Sequence, residues 1–225
     1  MRKDKEIAIK LRSSGKTYTE ISRELGILKG TLSGWFCGLE WSDTAKKLNS
    51  LNANTKARAH MIQMNILRKE KLTAGYELMK VTAENEFSLF ATDPHFIAAL
   101  MLYLGEGDKS LKTGMVRITN TDPAVLRIFT IFLEKFCAIK KERLRAWILL
   151  YPDLNENDCK KYWSQALLLP HENFYKSQTI QGKHKTKRLH YGVGTIIIGD
   201  KRLKVKILRW IELLSEQLTN SAGMV

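Results

Sequence analysis

Thr19-Glu20-Ile21-Ser22-Arg23-Glu24-Leu25-Gly26-Ile27-Leu28-Lys29-Gly30-Thr31-Leu32-Ser33-Gly34-Trp35 is the stretch on which the reading of this chain turns. Ile21 and Leu25 stand four residues apart, the apolar stripe of a helix expected from about Tyr18 to Leu25. Gly26 follows where a sharp corner needs a positive φ, which glycine takes without strain. Ile27 then anchors the turn, and a further helix is expected from about Lys29 to Phe36, burying Leu32 and Trp35. The small Ser22 lets the two helices approach, so Ile21, Leu25, Ile27, Leu32 and Trp35 close a miniature core. Upstream, Ile7, Ala8 and Leu11 recur at helical spacing, and Ser13-Ser14-Gly15 ends a first helix. The pattern predicts three short helices with one tight corner; an ordinary helical hairpin is the alternative.

Charge bears on that choice. The 225 residues carry 37 Lys and Arg against 23 Asp and Glu, a formal net charge of +14. Such an excess marks either a polyanion partner or a solvated basic surface. Leu28, Lys29, Gly30, Ser33 and Gly34 are the exposed positions expected on the third helix, with Thr31 partly covered. The corner, the small residue and the basic charge coincide as in a DNA-binding helix-turn-helix. This stretch resembles the helix-turn-helix of resolvase and transposase-like DNA-binding proteins over about the first forty residues. The resemblance implies duplex DNA as partner. Two glycines on the third helix and no Asn, Gln or Arg for a bidentate base contact leave Lys29, Thr31 and Ser33 as thin readout. Arg12, Lys16 and Arg23 are expected on phosphates.

Four parts are expected: 1–41 a helix-turn-helix domain, 42–92 a basic helical connector, 93–218 an α+β domain, and 219–225 a tail. The connector holds Lys46, Lys47, Lys56, Arg58, Arg68, Lys69 and Lys71, with Leu48, Leu51, Ile62 and Leu67 as apolar marks. Without proline and with Gly75 as its one glycine, it reads as one or two long exposed helices, disorder being the alternative. It would follow phosphates, of DNA or of RNA, or hold two domains apart.

In the third part, Asp93-Pro94 starts a helix filled by Phe96, Ile97, Leu100, Met101 and Leu104, apolar enough to demand burial on several sides. Strands are expected at Met115–Asn120, Leu144–Tyr151 and Gly192–Ile198. Helices are expected after Pro123, over Asp158–Leu167, and from Lys201 to about Leu218. The fold class is therefore α+β, one sheet with helices packed on it behind an all-α N-terminal module.

Ala98-Ala99-Leu100-Met101-Leu102-Tyr103-Leu104-Gly105-Glu106-Gly107-Asp108 delivers a carboxylate at a helix C-terminus between two glycines. The macrodipole disfavours a negative charge there, and a bound cation would remove the conflict; a solvated carboxylate is the plainer reading. The stretch resembles the diagnostic helix of the LAGLIDADG homing endonucleases, and the likeness extends loosely over Phe96 to Leu218 as an α/β sandwich domain. The resemblance implies a single-motif unit working as a homodimer, the two helices packed together and Glu106 binding Mg²⁺ at the scissile phosphates. Met101 stands where the motif has a small residue, and Leu104 replaces its first acid. The fold also serves non-cleaving regulators, so a site-specific endonuclease and a DNA-binding transcriptional regulator are both implied.

Asp122 before Pro123 reads as a helix N-cap, and Asp108 has no evident ligand role. Lys183, Lys185, Lys187 and Arg188, in a strip with His184, His190 and Tyr191, suit backbone contact along a groove. Arg117, Arg143 and Arg145 on strand candidates would face a groove as well, whereas Trp147 and Trp163 read as core. Cys37, Cys137 and Cys159 form no C-x-x-C pair and the five histidines have no zinc spacing. No apolar run approaches the roughly 18 residues of a membrane span, and no small-molecule site or membrane partner is expected. The N-terminus leads into an amphipathic segment rather than a signal core, so the expected place is the cytoplasm, at the nucleoid.

Overall fold

The structure, a computed structural model, describes residues 3–180 and 189–222. The chain divides into two compact units, Met1–Lys71 and Leu72–Val225. In the first, α1 (Lys3–Ser13), α2 (Tyr18–Leu25) and α3 (Lys29–Phe36) surround a core of Ala8, Ile21, Leu32 and Phe36. Leu25, Ile27 and Trp35 pack against that core half-buried, and Ala8 and Phe36 complete it beyond the sequence expectation. Thr17 starts α2 with a capping box: its hydroxyl accepts from the Glu20 N–H, while the Glu20 carboxylate accepts from the Thr17 N–H at 2.7 Å. Gly26 ends α2 in the left-handed region at φ 67°.

The connector is one helix, α4 (Glu40–Phe90), 51 residues long. Ala, Leu, Met, Lys, Arg, Gln and Glu, all good helix formers, recur along its whole length, and it holds no proline. Ser42 and Ala45 are buried within the first unit, and Ala83, Phe87 and Phe90 pack into the core of the second. Residues 50–74 are all exposed.

The second unit continues with α5 (Pro94–Glu106), β1 (Val116–Asn120), α6 (Pro123–Lys135), β2 (Arg145–Leu150), α7 (Glu156–Leu167), the two-residue β3 (Gln178–Thr179), β4 (Val193–Ile198) and α8 (Lys201–Ala222). Asp93 and Asp122 cap α5 and α6 with proline at the first helical turn. The sheet order is β1-β4-β2-β3, with β4 antiparallel to both β1 and β2 and β3 parallel to β2. A mixed α+β architecture results.

Along the three longer strands the side chains alternate. Val116, Ile118, Ala146, Ile148, Leu150, Ile196 and Ile198 enter one core with α5, α6, α7 and α8. The opposite face carries Arg117, Thr119, Arg145, Trp147, Leu149, Val193 and Ile197, all half-buried, with Thr195 buried among them. Trp163 is core as expected, but Trp147 is not: the strand's two-residue period turns it outward. No described helix is long and apolar enough to cross a membrane.

Candidate nucleic-acid interface and acidic helix end

Helix α3 buries Leu32 and Phe36, and its other side leaves Lys29, Gly30, Ser33 and Gly34 exposed with Thr31 half-buried. Leu28, at the N-cap, stands 77% exposed, an aliphatic side chain in solvent beside Lys29. Arg23 is exposed on the last turn of α2. Lys16 pairs with Glu24 across α2, so its ammonium already has a carboxylate partner.

Arg12 corrects the expectation that it faces phosphates. It is 3% exposed, donating from Nη1 to the Lys16 carbonyl at 2.9 Å and from Nη2 to the Ser42 carbonyl at 3.0 Å. Its guanidinium lies 4.6 Å from the centroid of the Tyr18 ring, and the Tyr18 hydroxyl lies 3.3 Å from Ser42 Oγ. The guanidinium fork therefore ties α1 to the turn that precedes α2 and to the first turn of α4. The basic residues around α2 and α3 look alike in sequence; that Arg12 is turned inward depends on the position of Ser42, thirty residues away.

On the half-buried sheet face, Arg117 and Arg145 both stand opposite Ile197, one on each side of the central strand. Thr119, Thr195 and Trp147 make the next row, and the two threonine hydroxyls lie 3.0 Å apart. Arg145 folds back to donate to the carbonyls of Glu142 and Leu144 at 2.6 and 2.9 Å. Arg143 is not on a strand: it ends a single 3-10 turn, Lys141–Arg143, and reaches Asp200 at 3.2 Å. Lys183, Lys185, Lys187 and Arg188 lie outside the described residues.

Two acids separated by one residue meet opposite fates at the end of α5. Glu106 is the last residue of the helix and is exposed, and among the described residues no hydrogen bond or ion pair reaches its carboxylate. Lys109 donates to the Leu104 carbonyl, placing a cation against the negative end of the helix. Gly107 is required by close packing, because a Cβ there would lie 2.5 Å from the Tyr103 carbonyl oxygen and ring. Asp108 turns inward: its N–H donates to the Arg117 carbonyl at 2.8 Å, and its own carbonyl accepts from the Tyr103 hydroxyl at 2.8 Å. Its carboxylate accepts from the Ser110 N–H and the Thr113 hydroxyl, each at 2.9 Å. Lys204 Nζ and Arg117 Nη2 each stand 3.4 Å from that carboxylate.

Burial pushes Asp108 up, but the Ser110 N–H, the Thr113 hydroxyl and Lys204 outweigh it and hold the group below the ordinary carboxylate range. Burial also pulls Lys204 below the usual lysine value, with Asp108 opposing. Tyr103 is raised to about 12 by its burial, so it remains a hydroxyl donor. Lys204 is fully buried, and sequence reasoning passed over it. The signal was present: Lys204 lies at i, i+3 and i+7 with Ile207 and Ile211, on the apolar stripe of α8.

Helix α5 is buried on several sides as expected, but Met101 is not among the residues that fill it. Phe96, Ala99, Leu100 and Tyr103 are buried, while Pro94, Ala98, Met101 and Gly105 form an exposed strip at spacings of four, three and four. One sheet and three neighbouring helices cover only part of an apolar cylinder. For a metal, the chain offers Glu106 as a free carboxylate at this helix end, and no group of three metal-binding side chains gathers among the described residues. Mg²⁺ is commonly held by one or two carboxylates together with phosphate oxygens and water, so Glu106 fits such an ion only with phosphate present. No protein-family model, curated protein or solved structure matches the chain.

Proposed function

We propose that the protein binds duplex DNA and, as a homodimer, hydrolyses it at Glu106. The observation that carries the binding is α3, a short helix held by a buried core on one side and presenting Lys29, Ser33 and two glycines on the other, in a chain of net charge +14. Glycines permit close backbone approach to a groove but add no base contacts, so affinity comes chiefly from phosphates and weakens steeply with salt. Arg117 and Arg145, flanking Ile197 on the half-buried sheet face, supply a second cationic row. The strip Pro94, Ala98, Met101 and Gly105 is the contact between two copies, its small residues admitting the second helix beside Met101. Glu106 would hold Mg²⁺ together with the scissile phosphate, where the ion would polarise that phosphate and activate water. Asp108 anchors the turn after α5 and stabilises Arg117 on the sheet face.

A second reading is a transcriptional regulator that binds without cutting, and one observation favours it: Asp108, the other acid of this turn, is held by Lys204, Arg117 and Thr113. Incubating the protein with a library of duplexes and Mg²⁺ separates the two. Cleavage that is lost in Glu106→Gln, with binding retained, supports the nuclease. Tight binding with no cutting in either protein supports the regulator. Retention on duplex DNA that is indifferent to NaCl, or unchanged in Lys29→Ala/Arg23→Ala, overturns both.

A further inference from the structure

We propose that α4 is a dimerisation element that pairs antiparallel with α4 of a second copy of the chain. This does not rest on the contact assigned above to α5. The observation is a stripe, Leu48, Leu51, Thr55, Ala59, Ile62 and Ile66, whose spacings of three, four, four, three and four keep it on one face of a helix. Its four large members are 56, 62, 54 and 52% exposed in the single chain, in chain order, and Thr55 and Ala59 are exposed too. The pattern repeats after eleven residues, Leu48 to Ala59, Leu51 to Ile62 and Thr55 to Ile66. An eleven-residue repeat lies close to the natural period of a straight helix, so two such helices stay in contact with little supercoiling.

The occupant follows from the order of sizes. The stripe has aliphatic residues at both ends and small ones in the middle, nearly symmetric about residue 57. An antiparallel copy, related by a two-fold axis near that residue, sets Leu48 on Ile66, Leu51 on Ile62 and Thr55 on Ala59, so every member meets a counterpart. That arrangement also opposes the helix dipoles, which a parallel pair would align. Phosphates would satisfy the cations of this helix but would leave the aliphatic stripe in water. A contact band one helix wide along residues 44–70 covers on the order of 1,000 Å² over both copies. That lies at the lower bound for a specific interface, so the pair is weak and concentration-dependent.

Charge sets the salt response. Residues 44–71 carry Lys46, Lys47, Lys56, Arg58, Arg68, Lys69 and Lys71 against Glu70 alone. Two such helices repel, and added salt screens the repulsion. Self-association of the protein without DNA therefore tightens as NaCl rises, the reverse of phosphate binding.

The test uses the full chain with Cys37→Ser, which removes the exposed thiol. In that background Leu48→Cys and Ile66→Cys are prepared separately, mixed, and mildly oxidised. The expected result is a disulfide-linked dimer in the mixture and little in either variant alone. A dimer formed equally by each variant alone means parallel pairing, and no dimer in the mixture means no pairing; either overturns the proposal. Sedimentation of Met101→Arg, which removes the α5 contact, is compared with Met101→Arg/Leu51→Lys/Ile62→Lys. The added lysines are expected to weaken association at least tenfold with helix content unchanged by circular dichroism. If association is unaltered, or if the lysines change only duplex retention, α4 does not join two copies, whatever becomes of the α5 contact.

Discussion

In the Met1–Lys71 unit the buried core cluster is Ala8, Ile21, Leu32 and Phe36. In the Leu72–Val225 unit, Phe96, Phe129, Phe132, Phe136 and Trp210 sit ring against ring, with Phe96 5.1 Å from Trp210 and Tyr103 5.2 Å from Phe129. The smaller unit removes little apolar surface from water and depends on polar ties to fix its helices. Arg12 links α1 to Ser42, and Thr17 with Glu20 closes the start of α2. The larger unit holds by aromatic packing, and its fully buried Lys204 pairs with the half-buried Asp108. A helix meant to meet a ligand must keep one face free, and a three-helix unit with such a face has little left to bury.

The sharpest way to break this contrast is Trp210→Ala. It leaves a cavity among Phe90, Phe96 and Phe132 and is expected to lower the stability of the second unit by about 4 kcal/mol, read by thermal unfolding with near-ultraviolet circular dichroism. A loss under about 1 kcal/mol would mean that the rings do not carry that unit.

Asp108→Asn comes next, at roughly 3 kcal/mol, because it leaves the buried Lys204 ammonium without its anion. Glu106→Gln, two residues earlier and exposed, is expected to leave stability unchanged. The same pair predicts a pH response. Asp108 is held below its ordinary value of 3.8, so its contribution is present above about pH 4 and is lost as pH falls through the depressed value. Asp108→Asn should remove that part of the acid limb in an unfolding titration, and an unaltered limb would refute the assignment.

Arg12→Ala is expected to cost the first unit about 2 kcal/mol through its lost charge-assisted hydrogen bonds to Lys16 and Ser42. Lys29→Ala should leave that unit's unfolding in place and lower the salt slope of duplex retention by about 1. If Arg12→Ala weakened retention with no change in hydrogen exchange of α1, the residue would belong to the interface after all. The smallest of the expected stability losses is that of Thr17→Ala, about 1 kcal/mol from the lost cap, seen as faster amide exchange at the start of α2.

Much of the architecture was legible because its signals are local. Gly26 marks the corner, Asp93-Pro94 and Asp122-Pro123 mark two helix starts, alternation marks the strand Val116–Asn120, and short apolar runs mark Arg145–Leu150 and Val193–Ile198. The two-residue strand Gln178–Thr179 carries too few residues to show a period, and Trp147 was read from its size rather than from its register. At the candidate site, the exposure of Lys29 and Ser33 followed from helical spacing, and that of Glu106 from its place at a glycine-flanked helix end. The burial of Arg12 did not, because it depends on Ser42.

Local chemistry along the chain thus determined where helices and strands begin and end, which face of α3 is apolar, and that the protein is strongly basic. Caps, corners and periodicity act over a few residues and are written in order. Tertiary structure decided which charges remain free: Arg12 and Asp108 are drawn into hydrogen bonds inside their units, while Lys29 and Glu106 face solvent. A buried charge persists only where partners from distant parts of the chain converge on it, and that convergence is a property of the fold.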